Sequence, residues 1–533
     1  MAAAPSPSSS PPPSLAPSSS PSSSPSSSPS EVLRQAVSAQ QEGNHTHALE
    51  LLLRAIEANP QDWIAHTCLG GTLKALGRLD EAIVAHLRAV ELGGDHRAMS
   101  NLALAYREAG RLDDAIAALR AAVARAPDEA ELHGNLSGLL LAADRPAEAE
   151  AAARRALVIA PGARFETNLG YARKEQGDFA GAVVHLRRAI ARDPQDADAH
   201  WNLGLTLLAA PASPADEAEG WRELEWRQRI RGLGIPSGGD AAAIPCWAGQ
   251  PLAGRTLLLQ AEQGLGDTLQ LARYARLAKA LAGAGRTILE CQPPLERLLR
   301  GCDGVDTVVA RGAALPRADV RAGLFSLPAL LGGRAPGGVP ATAYLAAEPE
   351  RVARWRATLA ARSPGASFRV GVAWQGNRRY RADGRRSIPL ASFVPLFRAI
   401  GAAGGAIVSL QKGEGREPLA GLPAGILVED LGPELDGDGA FVDSAAVMAA
   451  LDLVVTSDTA IPHLAGALGV PVWMALAWLP DWRWALEGES CGWYPTMRLF
   501  RQSQPGDWAG VFARLARAVG ERFANGAPGG GPP

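Results

Sequence analysis

Two patterns of hydrophobic and polar positions divide the chain. From about residue 31 to 209, small and apolar residues recur at helical spacing, with landmarks offset by 33 or 34 positions. One block carries Gly43, Ala48, Ala55 and Pro60, and the next Gly77, Ala82, Ala89 and Gly94. Gly110, Ala115, Ala122 and Pro127 follow, then Asp144, Ala149, Ala156 and Pro161, then Gly177, Ala182, Ala189 and Pro194. Such a period predicts stacked pairs of antiparallel helices. The Gly or Asp marks the tight turn within a pair, and the alanines let the second helix approach its neighbours closely. The Pro ends that helix because it has no N–H to donate. Each pair buries its apolar face only against the next, so the array is an α-solenoid. A sixth first helix begins at Ala199; its partner, displaced by Pro211 and Pro214, reads from Trp221 to Arg227 and is expected to cap the array within residues 210–253.

Beyond Ala253 the period changes to short apolar runs separated by helical segments. Strands are expected at Arg255–Gln260, Thr287–Cys291 and Asp306–Ala310 in one lobe, residues 254–345. A second lobe, residues 346–523, starts with a strand at Phe368–Trp374. It continues with strands at Ala406–Gln411, Ile426–Asp430, Leu451–Ser457 and Val470–Ala475. Strands alternating with helices predict doubly wound parallel sheets, two Rossmann-like lobes in tandem. Ligands of such sheets sit beyond the carboxyl ends of the strands. The last helix, Asp507–Phe523, is expected to cross back to the first lobe.

Composition narrows the class. The formal net charge of −2 over 533 residues leaves no global basic footprint for nucleic acid. Cys68, Cys246, Cys291, Cys302 and Cys491 lie far apart without a C-x-x-C pair, which fits a reducing compartment, and a cytoplasmic location is expected. Residues 1–30 are almost all Ser, Pro and Ala and are expected to be disordered, as is the tail 524–533. The start lacks the basic and apolar segments of a secretory signal, and no apolar run is long enough for a membrane span.

The strand-end loops carry the candidate chemistry. Gln263-Gly264-Leu265-Gly266-Asp267 follows the first strand and opens a helix. Gly264 and Gly266 allow close backbone approach to a ligand, though the run is short of a full dinucleotide fingerprint. Asp267 faces the expected cleft; a carboxylate there also stabilises its own helix start, by roughly 0.3–1 kcal/mol. In the second lobe, Thr456 to Gly469 reads as strand end, turn and helix, with Pro462 in the first turn. Free backbone N–H groups at such a start suit a diphosphate. His463 is the one histidine after His200 and sits in that turn. Trp374, Gly376, Asn377, Gln411 and Lys412 end the first two strands of this lobe, where donor contacts would fall. Asp436-Gly437-Asp438 is formally a D-x-D, read as a solvated turn and not as a metal site. Trp473, Trp478, Trp482, Trp484 and Trp493 either stack on a sugar or base or pack the lobe.

Asn101, Asn135, Asn168 and Asn202 occupy one equivalent position on successive first helices. An amide offers both donor and acceptor, so a ladder of them can bind a peptide backbone without reading its sequence. The spacing is that of tetratricopeptide (TPR) repeats, and the ladder resembles that of the O-GlcNAc transferase superhelix. Gly264 to Asp267, with Ser457 to Ala465, resembles the paired motifs of heptosyltransferase-like GT-B enzymes. Gln260 to Gln270, Pro480 to Trp484 and Trp493 to Gln502 resemble those of bacterial TPR-fused glycosyltransferases. The resemblance covers nearly everything from residue 31 to 523. It implies a TPR superhelix followed by a GT-B fold, and a metal-independent glycosyltransferase without a cofactor whose donor is a nucleotide sugar. Asp267 matches the general base. Arg386, or Arg385 in the neighbouring register, lies near the basic residue that binds donor phosphate. Asp458, Thr459 and His463 match the donor-binding turn, with Ala460 where the family has Gly. His463, Arg386 and Lys412 are expected to supply positive potential to the leaving diphosphate. The expected acceptor is a protein held in the repeat groove. The alternatives are a glycan- or lipid-directed enzyme and a non-catalytic scaffold.

Overall fold

The computed structural model describes residues 28–235, 240–332, 343–378, 383–437 and 439–523. Most of the two expected tails lies outside these residues; Ser28 to Ser30 do not. The first helix already starts at Pro29, a position where proline's missing N–H costs nothing. By its contacts the chain forms two compact units, one up to Ala143 and one from Asp144.

The first unit is helical. Pro29–Gln41 pairs with His45–Ala58, Trp63–Ala75 with Leu79–Glu91, and His96–Glu108 with Leu112–Arg125; Ala130–Ala142 follows. The turn glycines Gly43, Gly77 and Gly110 have φ of 77°, 76° and 75°, a region that L side chains avoid. The landmark alanines are buried as the repeat predicts, Ala48, Ala82, Ala89, Ala115 and Ala122 completely. The close approach is explicit at Gly70, where a methyl group would lie 2.5 Å from the His86 ring. Burial pushes that imidazole down to about 4, so it packs as a neutral ring.

In the second unit the helices Pro146–Ile159, Ala163–Lys174, Phe179–Arg192 and Ala197–Ala209 lead into the cap Pro214–Glu223 and a 3₁₀ turn, Leu224–Arg229. Two parallel sheets follow. The first contains β1 (Thr256–Gln260), β2 (Arg286–Cys291), β3 (Thr307–Ala310) and β4 (Val320–Gly323), in the order β3-β2-β1-β4. Thr256 pairs with Arg286 and Gln260 with Glu290, which sets the β1–β2 register. The second contains β5 (Phe368–Ala373), β6 (Gly405–Ser409), β7 (Val428–Asp430), β8 (Leu453–Thr456), β9 (Val472–Leu476) and β10 (Met497–Arg501), in the order β10-β9-β8-β5-β6-β7. The α/β class and the expected strands are present. β4 and β10 were not anticipated, because arginines interrupt both apolar runs. In the second sheet the order reverses between β5 and β8, the place where such sheets open a ligand crevice.

The expected division after residue 209 does not mark a compact unit, and the cap explains why. Trp221 and Leu224 are buried in one core with Trp247, Leu257 and Leu259 of the first lobe. Arg227, fully buried, forks onto Glu262 at 3.0 and 3.1 Å and donates to Ser326 Oγ at 2.8 Å. The last helix also departs from expectation. Trp508–Phe523 stays on the second lobe, where Val511, Phe512, Leu515 and Val519 bury a face with Phe393 and Phe397. Phe523 stacks on Phe368 of β5 at 3.7 Å. Those apolar positions recur at three- and four-residue steps and match the near sheet, which leaves no apolar face for the other lobe.

Candidate functional site

The carboxyl-end loops of the two sheets meet. The Leu265–Leu271 helix after β1 packs against the Ala460–Ala467 helix after β8. A methyl group on Gly266 would lie 3.2 Å from His463 Cδ2 and 3.4 Å from Ala460 Cα, so glycine is what permits this approach. Around the junction lies a cleft of about 1250 Å³. Its third wall comes from the last repeats, through Tyr171, Lys174, Glu175, Trp201 and Leu205. Six non-glycine residues have left-handed φ among the described residues, and four of them, Asp144, Gln263, Asp436 and Phe441, line this cleft. Each such backbone costs about 1–2 kcal/mol. Strain concentrated in one place is a mark of functional sites.

Asp267 is in the cleft, as expected, and also caps its own helix: Gly264 N–H donates to Oδ2 at 2.8 Å. Its other oxygen accepts from Arg483 of the loop after β9, a guanidinium that also binds Gln270 Oε1 at 2.6 Å and Asp481 at 2.7 Å. Desolvation raises the Asp267 pKa above the usual carboxylate range, and Arg483 opposes that shift. Asp458 is pushed up to about 7, by desolvation first and then by Asp481.

The turn after β8 carries fewer free amides than expected. Thr459 caps the helix and accepts from Ile461 N–H at 3.3 Å, and Pro462 has no N–H, so Ala460 supplies the next amide at the tip. His463 lines the cleft but adds no positive charge. Burial, then Arg483, Arg273 and Arg386, hold its pKa well below the ordinary imidazole value. Its ring stacks on Trp484 at 5.2 Å, and Nδ1 meets the Tyr494 hydroxyl at 3.0 Å. Tyr494 in turn fills the space beside Gly466, where a methyl group would come within 2.4 Å of the ring. Gly466→Ala should therefore displace Tyr494 and cost about 1–3 kcal/mol. Thermal unfolding checks this, and an unchanged midpoint would mean that the ring moves freely.

The two candidate arginines separate. Arg385 points to the repeats and pairs with Asp144 and with Glu175 at 2.5 Å. Asp144 stands where the other repeat turns have glycine and keeps their left-handed backbone, φ 60°. Its strain is offset by the pair with Arg385. Arg386 lines the cleft, bonded to Asp383 at 3.2 Å and close enough to act on Asp267, Asp458 and His463. Gly264, Gly376 and Asn377 also line the cleft, and so does half-exposed Lys412.

Other expected contacts are placed elsewhere. Trp374 is buried, and its indole N–H donates to Gly415 O at 2.9 Å, so it packs the lobe beneath the loop. Gln411 borders the cleft, but its amide is spent on the backbone of Trp374, Gln375 and Glu414. Asp436 is buried rather than solvated, its carboxylate taken by Ser444 N–H at 2.8 Å and Ser444 Oγ at 2.6 Å. Asp438 lies outside the described residues. Of the tryptophans, Trp482 lines the cleft, Trp473, Trp484 and Trp493 are core, and Trp478 is exposed.

The asparagine ladder is incomplete in the second unit. Asn202 is buried and donates to Asp198 O of its own helix at 2.8 Å, because the cap and the Trp482–Trp484 turn cover that helix. Asn168 is half-buried, and in the first unit Asn101 and Asn135 are also half-buried. Sequence pattern alone assigns no role to Arg483, Tyr494, Tyr344 or Arg273; the first two lie inside the Pro480–Trp484 and Trp493–Gln502 motifs, and no local signal marks Tyr344 or Arg273.

Comparisons with known proteins bear mainly on the repeats. Tetratricopeptide-repeat models match residues 62–128, 100–164 and 170–210. The chain is similar to Protein FlbA of Caulobacter vibrioides, 28% identical over 514 residues that cover 91% of this chain and 83% of that protein. Among solved structures, a thermophilic TPR protein of Thermus thermophilus is 24% identical, with 34% of this chain and all of that chain covered and a TM-score of 0.28. The Cut9–Hcn1 hetero-tetramer of the APC/C is 18% identical over 38% of this chain, with a TM-score of 0.33, and the match spans only 40% of that chain. The chain therefore carries tetratricopeptide repeats ahead of its two parallel sheets.

Proposed function

We propose that the second unit is a nucleotide-sugar-dependent glycosyltransferase of GT-B type, with the repeats holding a polypeptide acceptor. The observation that supports this most is the meeting of the Gly266 and Ala460 loops around Asp267 in one cleft. An acceptor hydroxyl gives its proton to Asp267 and attacks the anomeric carbon. The bond to the diphosphate breaks, and the departing oxygen is received by the Ala460 tip with Arg386 and Lys412. Preorganised donors and cations at such a position stabilise developing charge without a metal. Aromatic Tyr171 and Trp201 on the repeat wall offer the acceptor a surface beside the cleft.

Asp458 lends this reading a pH dependence. Its carboxyl, raised to about 7, is neutral below that pH and charged above it. A charged Asp458 repels a diphosphate, so nucleotide-sugar affinity should tighten several-fold between pH 8 and pH 6. Calorimetric titration at both values checks it, and tighter binding at pH 8 would contradict it. The activity itself is tested by incubating the full chain with UDP-, GDP- and ADP-sugars and measuring nucleotide release. Release with one of them supports the proposal. The hold of Arg483 on Asp267 favours a second reading, a binding cleft without turnover: binding without release would select it.

A further inference from the structure

Among the repeat turns, Gly43, Gly77, Gly110 and Gly177 have φ of 77°, 76°, 75° and 84°, and Asp144 keeps the same backbone at 60°. A side chain there costs stability that glycine does not. Aspartate is among the few L residues that tolerate the conformation. What its carboxylate gains is a partner on the second lobe. Arg385 donates from Nε to Asp144 Oδ2 at 2.8 Å, pairs Nη2 with the other oxygen, and donates from Nη1 to Glu175 at 2.5 Å. A lone ion pair near the surface contributes little. Here one planar guanidinium is forked onto one carboxylate and shared with a second, which fixes its orientation as well as its position.

The residue so fixed precedes Arg386. Both belong to the single turn Asp383–Arg386, on which neighbouring side chains point about 100° apart. The turn is held from within: Ser387 Oγ donates to Asp383 Oδ2 at 2.8 Å and accepts from Gly376 N–H at 3.1 Å. Arg386 lies against Gly376, where a methyl group would come within 2.8 Å of Nη2. A shift of Arg385 is therefore passed to Arg386 through a stiff segment. On the other side, Glu175 follows the helix Ala163–Lys174, whose Tyr171 and Lys174 line the cleft. We propose that Asp144, Arg385 and Glu175 form a clasp that holds the Arg386 turn against the repeat wall, and that they are positioning residues for the diphosphate of the donor. The clasp stands on its geometry; its effect on the donor rests on the function proposed above. Arg385, with Nε and both terminal nitrogens on carboxylates, aims Arg386 and leaves the phosphate to it.

The clasp is tested by a double-mutant cycle in thermal unfolding of the full chain. Asp144→Gly restores the residue of the sister turns, so the fold survives it. With Arg385→Ala present, that change only relieves strain and should raise the midpoint by about 1–2 °C. In the native chain it also breaks the fork, so the midpoint should stay level or fall. The same rise in both backgrounds would overturn the clasp. The positioning role is tested by titrating native, Asp144→Gly, Arg386→Ala and doubly substituted chains with UDP, GDP and ADP. Whichever nucleotide binds should bind Asp144→Gly roughly five- to ten-fold more weakly. Asp144→Gly should add no further loss once Arg386 is replaced by alanine. Native affinity in Asp144→Gly, or an equal further loss on top of Arg386→Ala, would overturn the positioning role and leave the proposed function standing. If none of the three nucleotides binds the native chain, the proposed function fails and the positioning role with it, while the unfolding cycle still decides the clasp.

Discussion

Asp267→Asn is expected to lower sugar transfer by about 10²–10⁴-fold, the usual worth of a positioned general base, while nucleotide-sugar binding stays within a few-fold. Asparagine retains a carbonyl oxygen for the Gly264 N–H, so the helix start survives. It cannot take up a proton from the acceptor hydroxyl. Arg483 loses one anionic partner but keeps Asp481 and Gln270. On the proposed function, transfer by the native chain should also fall as pH drops through the Asp267 pKa, because the protonated form is no base. Desolvation sets that acid limb above the ordinary aspartate range. Steady-state kinetics with separately measured binding checks both statements. Transfer unchanged in Asp267→Asn would remove the residue from the mechanism.

Arg227→Ala should destabilise the second unit by about 3–5 kcal/mol, the usual cost of leaving one member of a buried ion pair unpaired. Both side chains are completely buried, and Glu262 holds the loop that leads from β1 into Gly264. Phe325 N–H and Gln228 Nε2 also donate to the same carboxylate, at 3.0 and 3.2 Å, but neither supplies the positive charge of the fork. The sign of the pH dependence follows from Glu262. Desolvation already raises its pKa, and losing Arg227 raises it further above the unfolded value. The folded state then binds more protons than the unfolded one. The loss should be smaller below the unfolded pKa and grow as pH rises through the folded one. Denaturant unfolding at pH 5 and pH 7 measures it. Equal loss at both values would mean that Glu262 remains ionised or that the site has relaxed.

Much of this was legible in the sequence where one local rule decides. The turn glycines and packed alanines follow from a period that nothing else in the chain mimics. Gly266 and Asp267 could be placed because they open the helix that follows the first strand. The misplacements concern residues whose roles are set across the fold. Trp374 has the right position at a strand end, but its indole turns inward to Gly415 O, which only the folded loop supplies. Asn202 has the ladder position, but the cap covers its helix. Asp144 looked like an ordinary variant of a turn glycine, and only its pair with Arg385, 241 residues away, explains the carboxylate. The stacking of Arg273 over the Tyr344 and Tyr494 rings joins residues from three distant segments, so no spacing could announce it.

The measurement closest to the core of the account is a crystal soak of the full chain with a nucleoside diphosphate. Diphosphate oxygens on the Ala460 amide and the Arg386 guanidinium, across the cleft from Asp267, are the expected result. A nucleotide held elsewhere on the protein, with the Ala460 tip untouched, would contradict it.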